Sequence, residues 1–149
     1  MNQKWHDLMI TEENFSEILT DPEKFAFFME NESNNGKRIQ VLEKLGYLDK
    51  NFDKRPLLKL LADSNDQVRF LAVKNLAKFS DFSLLDTFYY ISTHDPTSMV
   101  RREAVSGLGR LRHKSAIPYL IKLTDDKDPK VVMQAIRALL VGQLARNLP

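Results

Sequence analysis

Apolar residues recur with a helical period along most of this chain. In the segment "DPTSMVRREAVSGLGRLRH", the apolar positions Val100, Ala104, Val105, Leu108 and Leu111 have the spacing i, i+4, i+5, i+8 and i+11. This spacing places the five side chains on one face of a helix and leaves the polar residues on the other faces. The segment is therefore predicted to form an amphipathic helix that buries one face.

The same pattern occurs several times along the chain. The segment "DSNDQVRFLAVKNLAKF" superposes on "DPTSMVRREAVSGLGRL" at an offset of 32 residues, and "DKDPKVVMQAIRALLVG" follows at an offset of 31. A weaker copy, "KRIQVLEKLGYL", precedes them. A repeat of this length is the signature of a repeat architecture, in which each unit packs on its neighbours. We name the repeated amphipathic helices the A helices.

A second apolar segment lies between each A helix and the next one. These segments, "RPLLKLLA", "FSLLDTFYYIS" and "SAIPYLIKLT", are predicted to form short B helices. Pro56 and Pro118 lie near the predicted starts, where a helix tolerates proline because no intrahelical N–H is required there. An Asp-containing turn ends each unit and can cap the next A helix. The predicted unit is helix, turn, helix, turn.

The motif D-P-x-x-x-V-R-x-x-A-V-x-x-L-G-x-L, followed by A-I-P-x-L-I-x-L, resembles the HEAT-like repeat of the phycobilisome-lyase type. The resemblance is strongest over residues 95–125 and extends over residues 37–142. It implies an all-α fold, an armadillo-like α-solenoid whose B helices line the concave face. Such repeats occur in bilin lyases, assembly factors, scaffolds and nucleic-acid-associated proteins, so the resemblance specifies a fold and leaves the function open.

We expect a single domain over residues 1–149, because a chain of this length fits one core. Residues 1–34 do not match the repeat and are predicted to form an acidic helical cap with N-caps at Thr11 and Asp21 and much apolar area, including Trp5. The polar segment "NESNNGK" at residues 31–37 predicts a connecting loop. About three and a half repeats are expected to fill residues 35–149.

Composition and charge narrow the classes of function. The chain has no Cys, which excludes a disulfide framework and thiolate metal sites, and no run of 18 apolar residues, so we predict a cytoplasmic protein that does not enter a membrane. Residues 1–36 carry two Lys against eight acidic residues, whereas residues 37–149 carry 20 basic and 12 acidic residues. Basic repeats can attract nucleic acid or an anionic protein, although charged surfaces also keep repeat arrays soluble.

The sequence gives no support for catalysis or metal binding. His6, His94 and His113 are far apart and have no partner at the spacing of zinc ligands. No phosphate-binding glycine loop is present, and Ser106 lies inside a predicted helix rather than at the strand-to-helix turn that a nucleophile elbow requires. We therefore predict no catalytic residue, no metal and no cofactor.

The Asp and Arg residues of the motif predict a structural ladder. Asp63 and Asp95 stand six residues before Arg69 and Arg101, so each arginine can reach an aspartate or a turn carbonyl in its own or the adjacent unit. Bonds of this kind would fix the stacking of the repeats. Val132 replaces the arginine in the last unit, where the ladder is expected to end.

The B helices supply the predicted partner-binding site. The repeat alignment superposes Lys59, Tyr90 and Lys122, and tyrosine is enriched at protein interfaces. Neighbouring outward positions complete the row, and they are Arg55, Asp86 and Tyr119. The alternative is a solvated row in which Tyr90 is half buried against its neighbour.

Two further surfaces are candidates. A basic run along one A helix and its turn consists of Arg101, Arg102, Arg110, Arg112 and Lys114, of which Arg101 is expected to belong to the ladder, so that only the others are expected to be free. The last A helix has a wider apolar arc than one buried face requires. Its residues Met133, Leu140 and Leu144 are predicted either to pack under a folded-back tail or to mediate self-association as a homo-oligomer.

These observations predict a noncatalytic scaffold or adaptor that docks another protein on the concave face of a small HEAT-like solenoid. One alternative, which rests on the resemblance, is an accessory factor of bilin-lyase type that acts on a chromophore or its acceptor protein. A second alternative is nucleic-acid binding through the basic repeats, which would weaken steeply with salt.

Overall fold

A computed structural model of the protein describes the backbone of residues 12–146 and the side chains of residues 14–143. Trp5 and the predicted N-cap Thr11 lie outside the described residues. Over the described residues the chain forms helices and turns and contains no strand, which confirms the predicted all-α solenoid fold. None of the helices in this part of the chain has the length and apolar character needed to span a membrane.

The α-helices follow one another with short connections. In chain order they are α1 Glu12–Thr20, α2 Pro22–Asn31, α3 Asn35–Glu43, α4 Arg55–Lys59, α5 Asp66–Leu76, α6 Leu85–His94, α7 Ser98–Arg110, α8 Ile117–Leu123 and α9 Pro129–Arg146. Single 3₁₀ turns cover Leu60–Ala62, Ala77–Phe79, Phe82–Leu84 and Lys114–Ala116. The A helices of the sequence are α3, α5, α7 and α9, and the B helices are α4, α6 and α8.

The chain divides after Asn75 into two compact units. Unit 1 holds α1 to α4 and most of α5, and unit 2 holds the end of α5 together with α6 to α9. The expectation of a single domain stays a prediction.

The two N-terminal helices of unit 1 pack on each other and on the first repeat. Asp21 caps α2 as predicted, because its side chain accepts hydrogen bonds from the backbone N–H groups of Glu23 and Lys24. Phe25 is fully buried and its ring lies 5.7 Å from that of Phe52, between centroids. The helix pairs α1 with α3 and α2 with α4 are in contact, so the cap covers the first repeat.

The predicted loop over residues 31–37 is shorter than expected. Helix α3 already begins at Asn35, and residues 32–34 form the connection. The reason is an N-cap, because the Asn34 side chain accepts a hydrogen bond from the backbone N–H of Lys37. The small polar residues of this segment therefore link α2 to α3 and also begin α3.

The apolar stripe of the A helix forms the core of unit 2. Val100, Ala104, Val105 and Leu108 are completely buried between α7 and its neighbours α6 and α9. Glycine lets α7 and α9 approach closely, since a Cβ atom on Gly109 would lie 2.9 Å from the Cβ of Ala138. The B helices are short, as predicted, and each of α6 and α8 begins directly after a 3₁₀ turn.

The last A helix is longer than the A helix before it. Helix α7 ends at Arg110, and Arg112 in the following turn has a φ of 50°. Ser80, at the same position of the preceding repeat, has a φ of 49°. Gln143 is the equivalent residue of the last repeat, and it lies inside α9, so the chain continues as helix where the two preceding repeats turn.

Candidate partner-binding surfaces

The six residues of the predicted row lie on the three B helices. Arg55 and Lys59 are on α4 in unit 1. Unit 2 holds Asp86 and Tyr90 on α6, together with Tyr119 and Lys122 on α8. The arrangement of the six in one row across both units stays a prediction.

The charged side chains of unit 1 are paired with one another. Arg55 Nη2 donates to Asp53 Oδ2 at 2.7 Å, and Lys59 Nζ donates to Glu30 Oε1 at 2.7 Å. The Arg55 side-chain bond lowers the pKa of Asp53 to about 2, and the Lys59 bond lowers the pKa of Glu30. We call these four residues the unit 1 B surface. They line an open pocket of about 390 Å³ with Ala26, Met29, Pro56 and Leu60.

Unit 2 presents tyrosines where unit 1 presents ion pairs. The rings of Tyr89 and Tyr119 are stacked, with 4.0 Å between centroids and 9° between planes. The Tyr119 hydroxyl donates to Asp86 Oδ1 at 3.2 Å, and this hydrogen bond raises the pKa of Tyr119. The stack and the hydrogen bond join α6 to α8 and hold Tyr119 in one orientation.

Next to this stack, several side chains face solvent. Tyr90 is 59% exposed, and its ring stacks on His94 with 4.2 Å between centroids. Whether Tyr90 binds a partner or is a solvated residue stays a prediction. Ile121 is 55% exposed and precedes the exposed Lys122. We call the following set the unit 2 B surface: Asp86, Tyr89, Tyr90, His94, Tyr119, Ile121 and Lys122.

Sequence reasoning missed Tyr89 and Ile121. The repeat alignment that superposes Lys59, Tyr90 and Lys122 also superposes the residues immediately before them, which include these two. They were passed over because an apolar or aromatic residue inside a B helix is expected to be buried. The repeat alignment therefore pointed to both positions. It does not show whether a side chain is buried, and only that tells a core position from an exposed one.

Arginines of the A helices bind backbone carbonyls in the same way in both units. Arg69 Nη1 donates to the carbonyl oxygen of Asp63 at 2.9 Å, and Arg101 Nη1 donates to that of Asp95 at 2.9 Å. Each bond spans the six residues that separate the pair in the motif. It ties the first turn of an A helix to the turn that precedes it.

A second set of bonds joins an A helix to the turn 25 residues further on. Arg38 Nη2 donates to Asp63 Oδ1 at 2.7 Å, and Arg101 Nε donates to Asp126 Oδ2 at 3.1 Å. Arg38 and Asp126 were not among the predicted ladder residues. The repeat offset of 31 identifies both, since Arg38 aligns with Arg69 and Asp126 aligns with Asp95.

The remaining candidates differ in exposure. Arg101 is buried and engaged with Asp126, so it is not part of an accessible basic run, whereas Arg102, Arg110, Arg112 and Lys114 are exposed. On α9, Met133 is 49% and Leu140 is 59% exposed, and the Leu144 side chain lies outside the described residues. Self-association through this helix stays a prediction. Among the described residues, no three His, Asp or Glu side chains form a group that could hold a metal.

Comparison with known families identifies the repeats. Residues 55–83 match the HEAT repeat, and residues 85–145 match a family model of HEAT repeats. These two stretches of the chain are therefore HEAT repeats, and the narrower resemblance to the phycobilisome-lyase type remains a hypothesis. No curated protein is similar enough to the chain to count as a match.

Proposed function

We propose that this chain, as a HEAT-repeat protein, is a noncatalytic scaffold that binds another protein through the unit 2 B surface. HEAT repeats generally mediate protein interactions and are generally noncatalytic. The observation that carries the proposal is the exposure of Tyr90 on α6 and of Ile121 on α8, the two helices that the stack of Tyr89 on Tyr119 joins. The predicted concave-face site is narrowed in this way to the B helices of unit 2.

The chemistry of this surface suits a protein partner. Tyr90 and Ile121 offer apolar area that is now in water, and its burial would favour association. Tyr119 is already held by its stack and by Asp86, so binding costs little additional side-chain entropy. Lys122 adds a positive charge at the edge, which steers an acidic partner more than it holds one.

Unit 1 contributes less to binding in this proposal. Its cations Arg55 and Lys59 already pair with Asp53 and Glu30, so a partner's carboxylate would have to displace a bond of similar strength. Exposed ion pairs are worth little, and exchanging one for another yields little free energy. The part of the predicted row that lies in unit 1 is therefore expected to modulate binding rather than drive it.

The test is site-specific photocrosslinking in a lysate of the source cells. A photoreactive phenylalanine replaces Tyr90 in one variant and Tyr47 in the other. Tyr47 is the matched control because it is also a tyrosine and is 89% exposed. We expect one protein to crosslink at stoichiometric yield from position 90 and not from position 47, and we expect Ile121→Ser combined with Lys122→Ser to reduce that yield.

Two results of this experiment would contradict the proposal. The same set of proteins recovered from both positions, or a yield that does not change with the Ile121 and Lys122 substitutions, would refute binding through the unit 2 B surface. Circular dichroism of each variant checks that the helices are intact. Light scattering on the same samples reports whether the chain self-associates, as predicted for α9.

A further inference from the structure

Exposed cations of unit 2 line two grooves whose lining includes none of the residues of the unit 2 B surface. Helices α7 and α9 pack side by side, and each contributes two basic residues. The turns after α5 and α7 contribute one each. We call the set the basic trough, and its members are Lys78, Arg102, Arg110, Arg112, Lys130 and Arg137.

The trough consists of two grooves that follow the seam between α7 and α9. The first groove, of about 430 Å³, is lined by Lys78, Arg110, Arg112 and Arg137 and by the polar residues Ser80, Ser106 and Gln134. The second, of about 310 Å³, is lined by Arg102, Pro129, Lys130, Met133 and Arg137. Arg137 belongs to both grooves, so the two form one continuous basic strip, and no described carboxylate lines either groove.

The arginines of the trough are available to a ligand. Arg102, Arg110, Arg112 and Arg137 are all exposed, and within the described part of the chain none of them forms an ion pair. Arg101, next to Arg102, shows the contrast, because it is buried and bound to Asp126. Two consecutive residues of α7 therefore differ in role, because Arg101 is bound within the protein and Arg102 is exposed to solvent.

We propose that the basic trough binds the sugar–phosphate backbone of a nucleic acid without reading its base sequence. Guanidinium groups match phosphate oxygens in geometry and charge, and serine and glutamine side chains add neutral hydrogen-bond donors. Arg102 and Arg110 are eight residues apart on α7, about 12 Å along a helix. That length corresponds to about three phosphates of one DNA strand.

An acidic protein fits this strip less well than a phosphate backbone does. The core of a protein interface is depleted in charge and rich in apolar side chains. The trough has cations along its whole length, and its larger exposed apolar side chains, Met133 and Val141, lie one in each groove rather than together. A regularly spaced anion is the partner that pairs with the cations at successive positions.

Arg112 offers a way to separate binding from folding. Its backbone adopts the left-handed conformation, which glycine adopts without steric cost. Arg112→Gly is therefore expected to leave the fold intact while removing a cation from the trough. If the role of Arg112 were only structural, Arg112→Gly would have no effect on nucleic-acid binding.

The experiment is fluorescence anisotropy of a labelled 20-base-pair duplex DNA of mixed sequence with the full chain, at 50 and 200 mM NaCl. With about three phosphates neutralised, the affinity should fall about 40-fold over this range of salt. Arg137→Gln should weaken binding about tenfold at 50 mM NaCl and reduce the salt slope by about one. Arg112→Gly should also weaken binding without lowering the melting temperature.

Lys122→Gln is the matched control, because it removes one exposed positive charge from a B helix of the same unit. We expect it to leave DNA affinity nearly unchanged. Three results would overturn the proposal: no binding at 50 mM NaCl, an equal loss from Lys122→Gln and Arg137→Gln, or equally tight binding of poly-glutamate at the same charge concentration. The second of these would reduce the effect to net charge.

Discussion

The two units use the same repeat positions for different surfaces. On α4 of unit 1, Arg55 and Lys59 pair with carboxylates, and one of these, Glu30, comes from the cap helix α2. On α6 and α8 of unit 2, the equivalent region carries stacked and exposed tyrosines. Residues 1–75 hold 11 basic and 13 acidic residues, whereas residues 76–149 hold 11 and 7. The acidic cap thus neutralises the first repeat, whereas the described cations of the second unit other than Arg101 are exposed.

The arginine–aspartate bonds of the ladder also differ between the two units. Arg101 bonds to the Asp95 carbonyl and through two nitrogens to Asp126, with only 6% and 10% of the two side chains exposed. Arg38 makes one bond to Asp63 and one to Asn35 Oδ1, and its Nε is buried without a partner among the described residues. Buried charges are costly unless they are fully hydrogen-bonded. The Arg101 interaction should therefore matter more to stability than the Arg38 interaction.

The largest predicted effect is that of Arg101→Ala. Removal of one partner of a buried pair leaves the Asp126 charge without compensation, so the free energy of unfolding should fall by about 3 kcal/mol. Urea denaturation followed by circular dichroism measures the change. Arg102→Ala, at the adjacent exposed position, is the control and should change stability by less than about 0.5 kcal/mol. Equal effects of the two substitutions would exclude a structural role for the Arg101 bonds.

Arg38→Ala tests the weaker interaction and should cost about 2 kcal/mol at neutral pH. Burial is the largest single influence on the pKa of Asp63 and raises it, but the hydrogen bonds from Arg38 and from the backbone N–H of Asn65, together with the charges of Arg38 and Arg69, outweigh burial and lower the pKa in the folded protein. The stability from this bond is therefore present above the unfolded pKa of about 4 and is lost as the pH falls through the lower folded value. The difference between wild type and variant should shrink in acid, and a difference independent of pH would contradict this account.

A smaller effect is expected at the helix contact of unit 2. Gly109→Ala favours the helix intrinsically by about 1 kcal/mol, but its Cβ would lie 2.9 Å from that of Ala138 on α9. Overpacking of this kind costs about 1 to 3 kcal/mol, so a net loss of about 1 kcal/mol is predicted from thermal denaturation. Gly109→Ala combined with Ala138→Gly removes the clash and should recover the loss. A gain in stability from Gly109→Ala alone would show that α9 shifts freely.

Much of the fold was predictable because apolar residues recur at equivalent positions of each repeat. The stripe from Val100 to Leu108 is buried as its spacing requires, and Asp21 caps α2 as its chemistry requires. The start of α3 was missed, because the side-chain cap by Asn34 competes with the loop tendency of the same polar residues. Pattern reasoning reads the period of a helix better than its ends.

The candidate sites were predictable only in part. The outward positions of the B helices follow from the repeat alignment, but the pairing of Lys59 with Glu30 joins a repeat to a cap that no repeat pattern describes. The exposure of Ile121 and the inclusion of Lys130 and Arg137 in one strip with Arg102 depend on how α7, α8 and α9 pack. Side chains distant in sequence are brought together by packing, which the pattern of a single helix does not encode.

The smallest predicted effect sharpens the comparison between the surfaces without touching stability. The pKa of Asp53 is lowered to about 2 chiefly by the side-chain hydrogen bond from Arg55, in an exposed position of unit 1. Arg55→Gln keeps a hydrogen-bonding side chain but removes the charge, so the pKa should rise towards its usual value, measured by NMR titration of the Asp53 carboxyl carbon. The melting temperature at neutral pH should stay within error, because exposed pairs contribute little. An unchanged pKa would mean that Arg55 does not pair with Asp53 in solution, and of the two ion pairs of the unit 1 B surface that of Lys59 with Glu30 would remain.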